Sequence, residues 1–216
     1  MRTKTMSASE WRQTPRGAPA WTALTAAFAA LLALALLALP AQGAERSSAE
    51  RSATVPVTGG QTLLKLDGAT AAALSGAGIS IRATGPAIGP TGSTLFAFPV
   101  VGGEVNKKQL SGKIVHSGGL AIKAGDTTLV VKRFVIDLDS GYLTARVAGS
   151  GARIPLLRLG AVTGGVTAAP GILVLKDVNV RLTGTAASAL NQTFDTDLFE
   201  RGLLIGQATV VARTGL

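Results

Sequence analysis

Phe134-Val135-Ile136-Asp137-Leu138-Asp139-Ser140-Gly141-Tyr142-Leu143-Thr144-Ala145-Arg146-Val147 reads as two strands and the turn between them. Phe134, Ile136 and Leu138 fall on one face, with Val135, Asp137 and Asp139 on the other. After the turn, Leu143, Ala145 and Val147 oppose Tyr142, Thr144 and Arg146. Side chains alternate along a strand, so this pattern gives each strand a dry face and a wet one. Gly141 after Asp139-Ser140 supplies the positive φ that a tight turn requires. One dry and one wet face mark an antiparallel sheet packed on a second layer.

The pattern extends both ways. Val178, Val180 and Leu182 oppose Asp177, Asn179 and Arg181. Upstream, Gly112 to His116 is strand-like, Ser117-Gly118-Gly119 turns it, and Leu120 to Lys123 returns. Ala124-Gly125-Asp126 turns again into Thr127 to Leu138. Thr62 to Leu66 is the first strand, and Asp67 is placed to cap a short helix over Ala69 to Ser75. Ile79 to Arg82 alternates, Gly85 to Gly92 is loop, and Pro99 within Thr94 to Val101 suggests an edge or a bulge. Near the end, Thr183 or Thr185 caps a helix through Ala186, Ala187, Leu190 and Asn191, and Leu203 to Ala212 returns as a last strand. Short strands about ten residues apart suit a sandwich or a barrel. The expectation is a mainly β fold, an antiparallel β-sandwich with one or two short helices, over residues 61–216.

The N-terminal region is of another kind. Arg2, Lys4, Arg12 and Arg16, against Glu10 alone, precede an uncharged Ala/Leu run from Trp21 to Leu39, then Pro40 and small residues. These are the parts of a secretory signal. Small residues at Ala41 and Gly43 put cleavage between Gly43 and Ala44, with Ala41 as the second choice. An uncleaved anchor is the alternative, because the run is close to the length that spans a bilayer. Residues 1–43 are thus a signal segment, and the product is secreted or associated with the cell envelope. Residues 44–60 are polar and small, a flexible spacer.

Composition narrows the function. The chain of 216 residues has no Cys, which excludes disulfides and thiolate metal sites. The net charge is +9, but the basic residues are dispersed, with Lys107-Lys108 and Lys132-Arg133 the adjacent pairs beyond the leader. No aromatics interleave with them, so nucleic acid is not the expected partner. Contact with a membrane is expected only through the signal segment before cleavage.

Leu110-Ser111-Gly112-Lys113-Ile114-Val115-His116-Ser117-Gly118-Gly119-Leu120, followed by Val135-Ile136-Asp137 and Ser140-Gly141-Tyr142-Leu143-Thr144-Ala145, resembles the core of actinobacterial HtaA domains. The segment Val178 to Gly184, then Ala189-Leu190-Asn191 and Phe199 to Gly206, is similar to that family's closing helix and strand. The resemblance implies a secreted or surface β-sandwich that takes up haem. It implies His116 as the axial ligand, since the family's haem-binding members place a His in this Gly-apolar-His-Gly-Leu segment and a Tyr near the domain start. The first strand here, Thr62 to Leu66, holds no Tyr or Trp.

His116 is the chain's one His, so no His pair can hold a metal. A neutral imidazole ligates iron well. The competing role for His116 is a buried ring hydrogen-bonded to a turn. Tyr142, the one Tyr, is the second candidate contact, since a phenolate can hold ferric iron; its alternative is to cap a sheet edge with its hydroxyl in water. Asp137 with Asp139, and Asp195 with Asp197, are spaced like paired carboxylates but lack aromatic sugar platforms. Ser117-Gly118 lacks the Gly-x-Ser-x-Gly elbow of a hydrolase. The sequence therefore reads as a non-enzymatic binding protein with haem or envelope components as partners. The alternative is a structural or envelope-interaction protein with no small ligand.

Overall fold

A computed structural model of the chain describes residues 54–215. The signal segment, the Gly43/Ala44 cleavage site and the first part of the spacer lie outside the described residues. Among the described residues, eleven strands form one antiparallel sheet: β1 (Val55–Leu66), β2 (Ile79–Thr84), β3 (Leu95–Asn106), β4 (Ser111–His116), β5 (Gly119–Ala124), β6 (Thr127–Asp137), β7 (Tyr142–Val147), β8 (Arg153–Val162), β9 (Val166–Ala169), β10 (Ile172–Leu182) and β11 (Leu204–Thr214). Two helices interrupt them, α1 (Gly68–Gly76) and α2 (Gly184–Phe194).

The fold is mainly β, as the alternation indicates, but the sheet closes into a barrel where the sequence suggested a sandwich. The pairing runs β6-β4-β3-β1-β11-β10-β8-β7, and β7 pairs again with β6. Eight strands therefore close a ring. Strands β5 and β2 extend from the first half of β6, and β9 flanks the first half of β10. Period-two alternation is common to both architectures, because each needs one buried face per strand. The difference lies in edges, which closure removes around the ring.

Two boundaries differ from the sequence reading. β1 begins at Val55, so residues 55–60 are strand and not spacer. Val57 is buried, and Gly60 crosses β11 so closely that a Cβ would lie 2.0 Å from the Val211 carbonyl oxygen. Gly103 of β3 meets the Lys113 carbonyl in the same way. The second difference is at Ser117-Gly118-Gly119. β4 and β5 do not form a hairpin; both pair with β6. From Val115 to Gly119 the chain advances four positions while its partners on β6 run from Val135 to Lys132. That is a bulge in one long strand, not a reversal. Arg133 sits opposite it at φ +55, its amide donating to the Gly118 carbonyl at 3.1 Å. Pro99 lies on an internal strand, and the β3–β4 register shifts just after it, between Val100 and Gly102.

The barrel interior is built from the faces the alternation marked. Phe96, Ile114, Ile136, Leu173, Val131 and Val180 are fully buried. Each such side chain contributes about 1.5–3 kcal/mol of transfer free energy. Phe98 and Phe134 meet edge to face at 5.2 Å and 83°, the geometry that ring quadrupoles favour. Both helices start as read. Asp67 Oδ1 accepts from the Thr70 amide at 3.1 Å, and Thr183 Oγ1 accepts from the Ala186 amide at 3.1 Å. Thr183, not Thr185, is the second cap. The Asn191 side chain ties the end of α2 to Phe199 through both its amide nitrogen and its oxygen.

Candidate functional site

β4 ends on His116, and the strand phase that buries Ile114 also buries the imidazole, which is 3% exposed. Thr62 of β1 is buried in phase with Leu64 and Leu66. The two side chains meet inside the barrel, where Thr62 Oγ1 and His116 Nε2 share a hydrogen bond of 2.7 Å. Nδ1 is buried and has no hydrogen-bond partner among the described residues. Burial lowers the pKa of His116 from 6.5 to about 4, while the nearby backbone of Phe134 and Ile114 acts weakly in the opposite sense. The ring is therefore neutral at ordinary pH.

The space beside this pair is small and greasy. A cavity of about 50 Å³ is walled by Leu64, Phe98, Phe134, Ile136, Leu157 and others. Small-ligand pockets run from about 300 to 1,000 Å³, so this cavity has no room for a porphyrin. The hydroxyl that approaches His116 belongs to a Thr, which does not ionise to an iron-binding oxyanion as a Tyr phenol does.

Tyr142 does not join His116. It lies on the outer face of β7, half-buried, opposite Asp137 on β6 and Arg158 on β8. Asp137 and Asp139 serve the turn. Asp137 Oδ1 accepts from the amides of Asp139 and Ser140, both at 3.1 Å, and Asp139 Oδ2 accepts from Gly112. The Ser140 amide does most to hold the Asp137 carboxyl below its usual range, and Lys113 at 3.6 Å adds to it. Asp195 is the left-handed cap of α2 at φ 50. No group of three or more His, Cys, Asp or Glu that could hold a metal ion occurs among the described residues.

The open concavity lies on the other side of the barrel wall. A basin of about 580 Å³ is lined by Lys132, Arg133, Arg146 and Arg153, with Val101 and Val115 beside them and no carboxylate. Strand register assembles it. Lys132 of β6 is the cross-strand partner of Arg146 on β7, and Arg146 is the partner of Arg153 on β8. Arg153 donates to Thr144 Oγ1 at 2.9 Å and to the Arg133 carbonyl at 3.1 Å. Partial burial, then the charges of Arg146 and Arg133, depress its pKa. His116 lines both the interior cavity and this basin. The sequence reading noticed Lys132-Arg133 as an adjacent pair. It missed Arg146 and Arg153, which only strand pairing brings to them.

A closed antiparallel barrel with a small, mostly apolar interior cavity and a basic basin on its wall is the class of domain these residues define. No family model matches the chain, and no curated protein matches it in sequence. Among solved structures, the C-terminal domain of HtaA from Corynebacterium glutamicum is similar, with a TM-score of 0.56 and 16% identity over 74% of this chain and 99% of that one. The chain has an HtaA-like fold.

Proposed function

We propose that this chain is a secreted, non-enzymatic binding domain that takes an amphipathic anion in the basin on its outer wall, with haem as the model ligand. The observation that carries this reading is the contrast between the two spaces. The interior offers about 50 Å³ beside His116, whereas the basin offers about 580 Å³ and four cationic side chains. Haem is a broad apolar plane with two carboxylates. Val101, 57% exposed, and Val115 suit the plane, and Arg146 and Arg153 suit the carboxylates, which guanidinium groups hold in a fork. The signal-like leader supports export, and the HtaA-like fold supports a binding role. In this reading His116 is a wall residue and not the axial ligand, because its Nε2 is held by Thr62.

The test is a haemin titration of residues 44–216, read in the Soret region, for the parent chain, His116→Phe and the double variant Arg146→Ala/Arg153→Ala. The expected result is saturable, salt-sensitive binding that survives His116→Phe and weakens about tenfold or more in the double variant, since each charge-assisted contact is worth about 1.5–3 kcal/mol. A band shift typical of imidazole ligation that vanishes in His116→Phe would overturn the basin reading.

A further inference from the structure

The same wall carries a second cationic concavity. A basin of about 410 Å³ is lined by Tyr142, Arg158, Arg181, Arg201 and Thr185, among others, and again no carboxylate faces it. Register makes this one too: Tyr142 pairs with Arg158 across β7–β8, and Arg158 pairs with Arg181 across β8–β10. Arg158, Arg181 and Arg201 are exposed. Two rows of basic residues therefore cross one face of the barrel, Lys132–Arg146–Arg153 and Arg158–Arg181. Arg146 and Tyr142 stand four positions apart on β7, which sets the rows about 13 Å apart at ~3.3 Å per residue.

Like charges placed directly opposite each other weaken a sheet. Here Arg146 faces Arg153 and Arg158 faces Arg181. Asp137, the cross-strand partner of Tyr142, is engaged by turn amides and by Lys113. Among the described residues no carboxylate lines either basin, so an added anion is suited to relieve the rows. A single small oxyanion can fill one basin but cannot reach both. Successive charges on one linear chain can.

We propose that this wall is a track for linear polyphosphate, a chain of phosphates that carries no bases, with one stretch of the polymer bridging the two basins. Guanidinium groups match phosphate oxygens in a bidentate way. The wall has Tyr142 as its one aromatic and so no series of platforms on which bases could stack. This inference goes beyond the haem-type reading, because it depends on the second basin as well as the first.

The experiment measures binding of labelled linear polyphosphate, long enough to span both basins, and of pyrophosphate, to the chain of residues 44–216. It is repeated for Arg146→Ala/Arg153→Ala, for Arg158→Ala/Arg181→Ala and for a control pair on other strands, Lys65→Ala/Lys123→Ala. All six substituted side chains are exposed, and thermal melts confirm that each variant folds. The expected result is tight polyphosphate binding, weak pyrophosphate binding, and a loss of tenfold or more in each wall variant with little change in the control. Each wall variant also flattens the dependence of affinity on salt, because fewer counterions are released. Equal losses in the control pair, no preference for polymer over pyrophosphate, or tighter binding of a single-stranded DNA of matched charge would overturn the proposal. Haemin titration of the same samples separates the two readings. Arg158→Ala/Arg181→Ala tests the track alone, because those residues lie outside the haemin basin.

Discussion

Thr62 and His116, 54 positions apart in sequence, share a buried hydrogen bond of 2.7 Å across the inside of the barrel. β1 and β4 do not pair with each other; β3 lies between them. The bond therefore spans the barrel wall from one side of β3 to the other. Each partner is the polar exception on an otherwise apolar strand face, and each answers the other. The imidazole is fixed in the wall between the interior cavity and the basin, which makes it a structural element of that wall.

Thr62→Val keeps the shape and removes the hydroxyl. His116 Nδ1 already lacks a partner among the described residues, so there the substitution leaves both ring nitrogens unsatisfied. We expect a loss of about 1–3 kcal/mol, the cost of a buried polar group stripped of its hydrogen bond. Urea unfolding measures it. The double variant Thr62→Val/His116→Phe should recover part of the loss, because both polar groups then leave together. A double variant less stable than either single would show that the pair is not coupled in this way.

The same burial makes stability depend on pH. The folded-state pKa of His116 is about 4, below its ordinary value of 6.5. Between those values the unfolded chain holds more protons than the folded one, so stability rises with pH across that window. It is full above about pH 6.5 and falls as pH drops toward 4. The span of the shift corresponds to about 3 kcal/mol at 1.36 kcal/mol per pH unit. Unfolding midpoints from pH 4 to 7 should show this slope in the parent chain and a flatter one in His116→Phe. The same slope in both would assign the dependence to other groups.

Much of the fold is legible in local pattern. Phe134, Ile136, Ala145, Val178 and Val180 are buried as the alternation requires, and Asp67 and Thr183 cap the helices that their neighbours suggest. What is not legible depends on pairing. Ser117-Gly118-Gly119 carries the composition of a turn, yet Gly118 at φ +81 shapes a bulge between two stretches of one strand. Pro56, Gly59 and Gly60 have the composition of a spacer, but they lie on a strand held on both sides. The choice of barrel over sandwich rests on which strands find each other, which alternation does not encode. The basin is hidden for the same reason. Arg146 and Arg153 are seven positions apart and look like scattered surface charge until β7 and β8 pair.

Gly60→Ala and Gly103→Ala test the close strand contacts. Each glycine has a positive φ, +130 and +127, and each Cβ would meet a carbonyl oxygen of the next strand at 2.0 Å. Backbone strain and steric overlap act together. We expect losses of several kcal/mol or failure to fold, well above the roughly 1 kcal/mol centre of point-mutant effects. Gly125→Ala is the control: its φ of +54 also disfavours Ala, but no atom lies within 4 Å of the added Cβ. If all three variants lose the same stability, φ strain alone accounts for the effect and the close approach contributes nothing.

Thr183 gives the last prediction, because its side chain does two things at once. Its Oγ1 accepts from the Ala186 amide at the start of α2 and donates to the Pro155 carbonyl on β8 at 2.6 Å. The first bond caps the helix; the second pins it to the barrel. Thr183→Ala removes both, and an N-cap loss alone costs about 0.5–2 kcal/mol. Thr183→Asp restores an acceptor for the cap but offers no proton to Pro155. The Asp variant should therefore recover only part of the stability lost in the Ala variant, and its unpaired carboxylate would lie against the Pro155 carbonyl. Chemical unfolding of the three proteins separates the bonds. Full recovery with Asp would make the cap the whole effect, and no recovery would assign the stability to the bond with β8. Pro155 and Thr185 both line the second basin, so a loosened α2 should also weaken polyphosphate binding while leaving haemin binding unchanged.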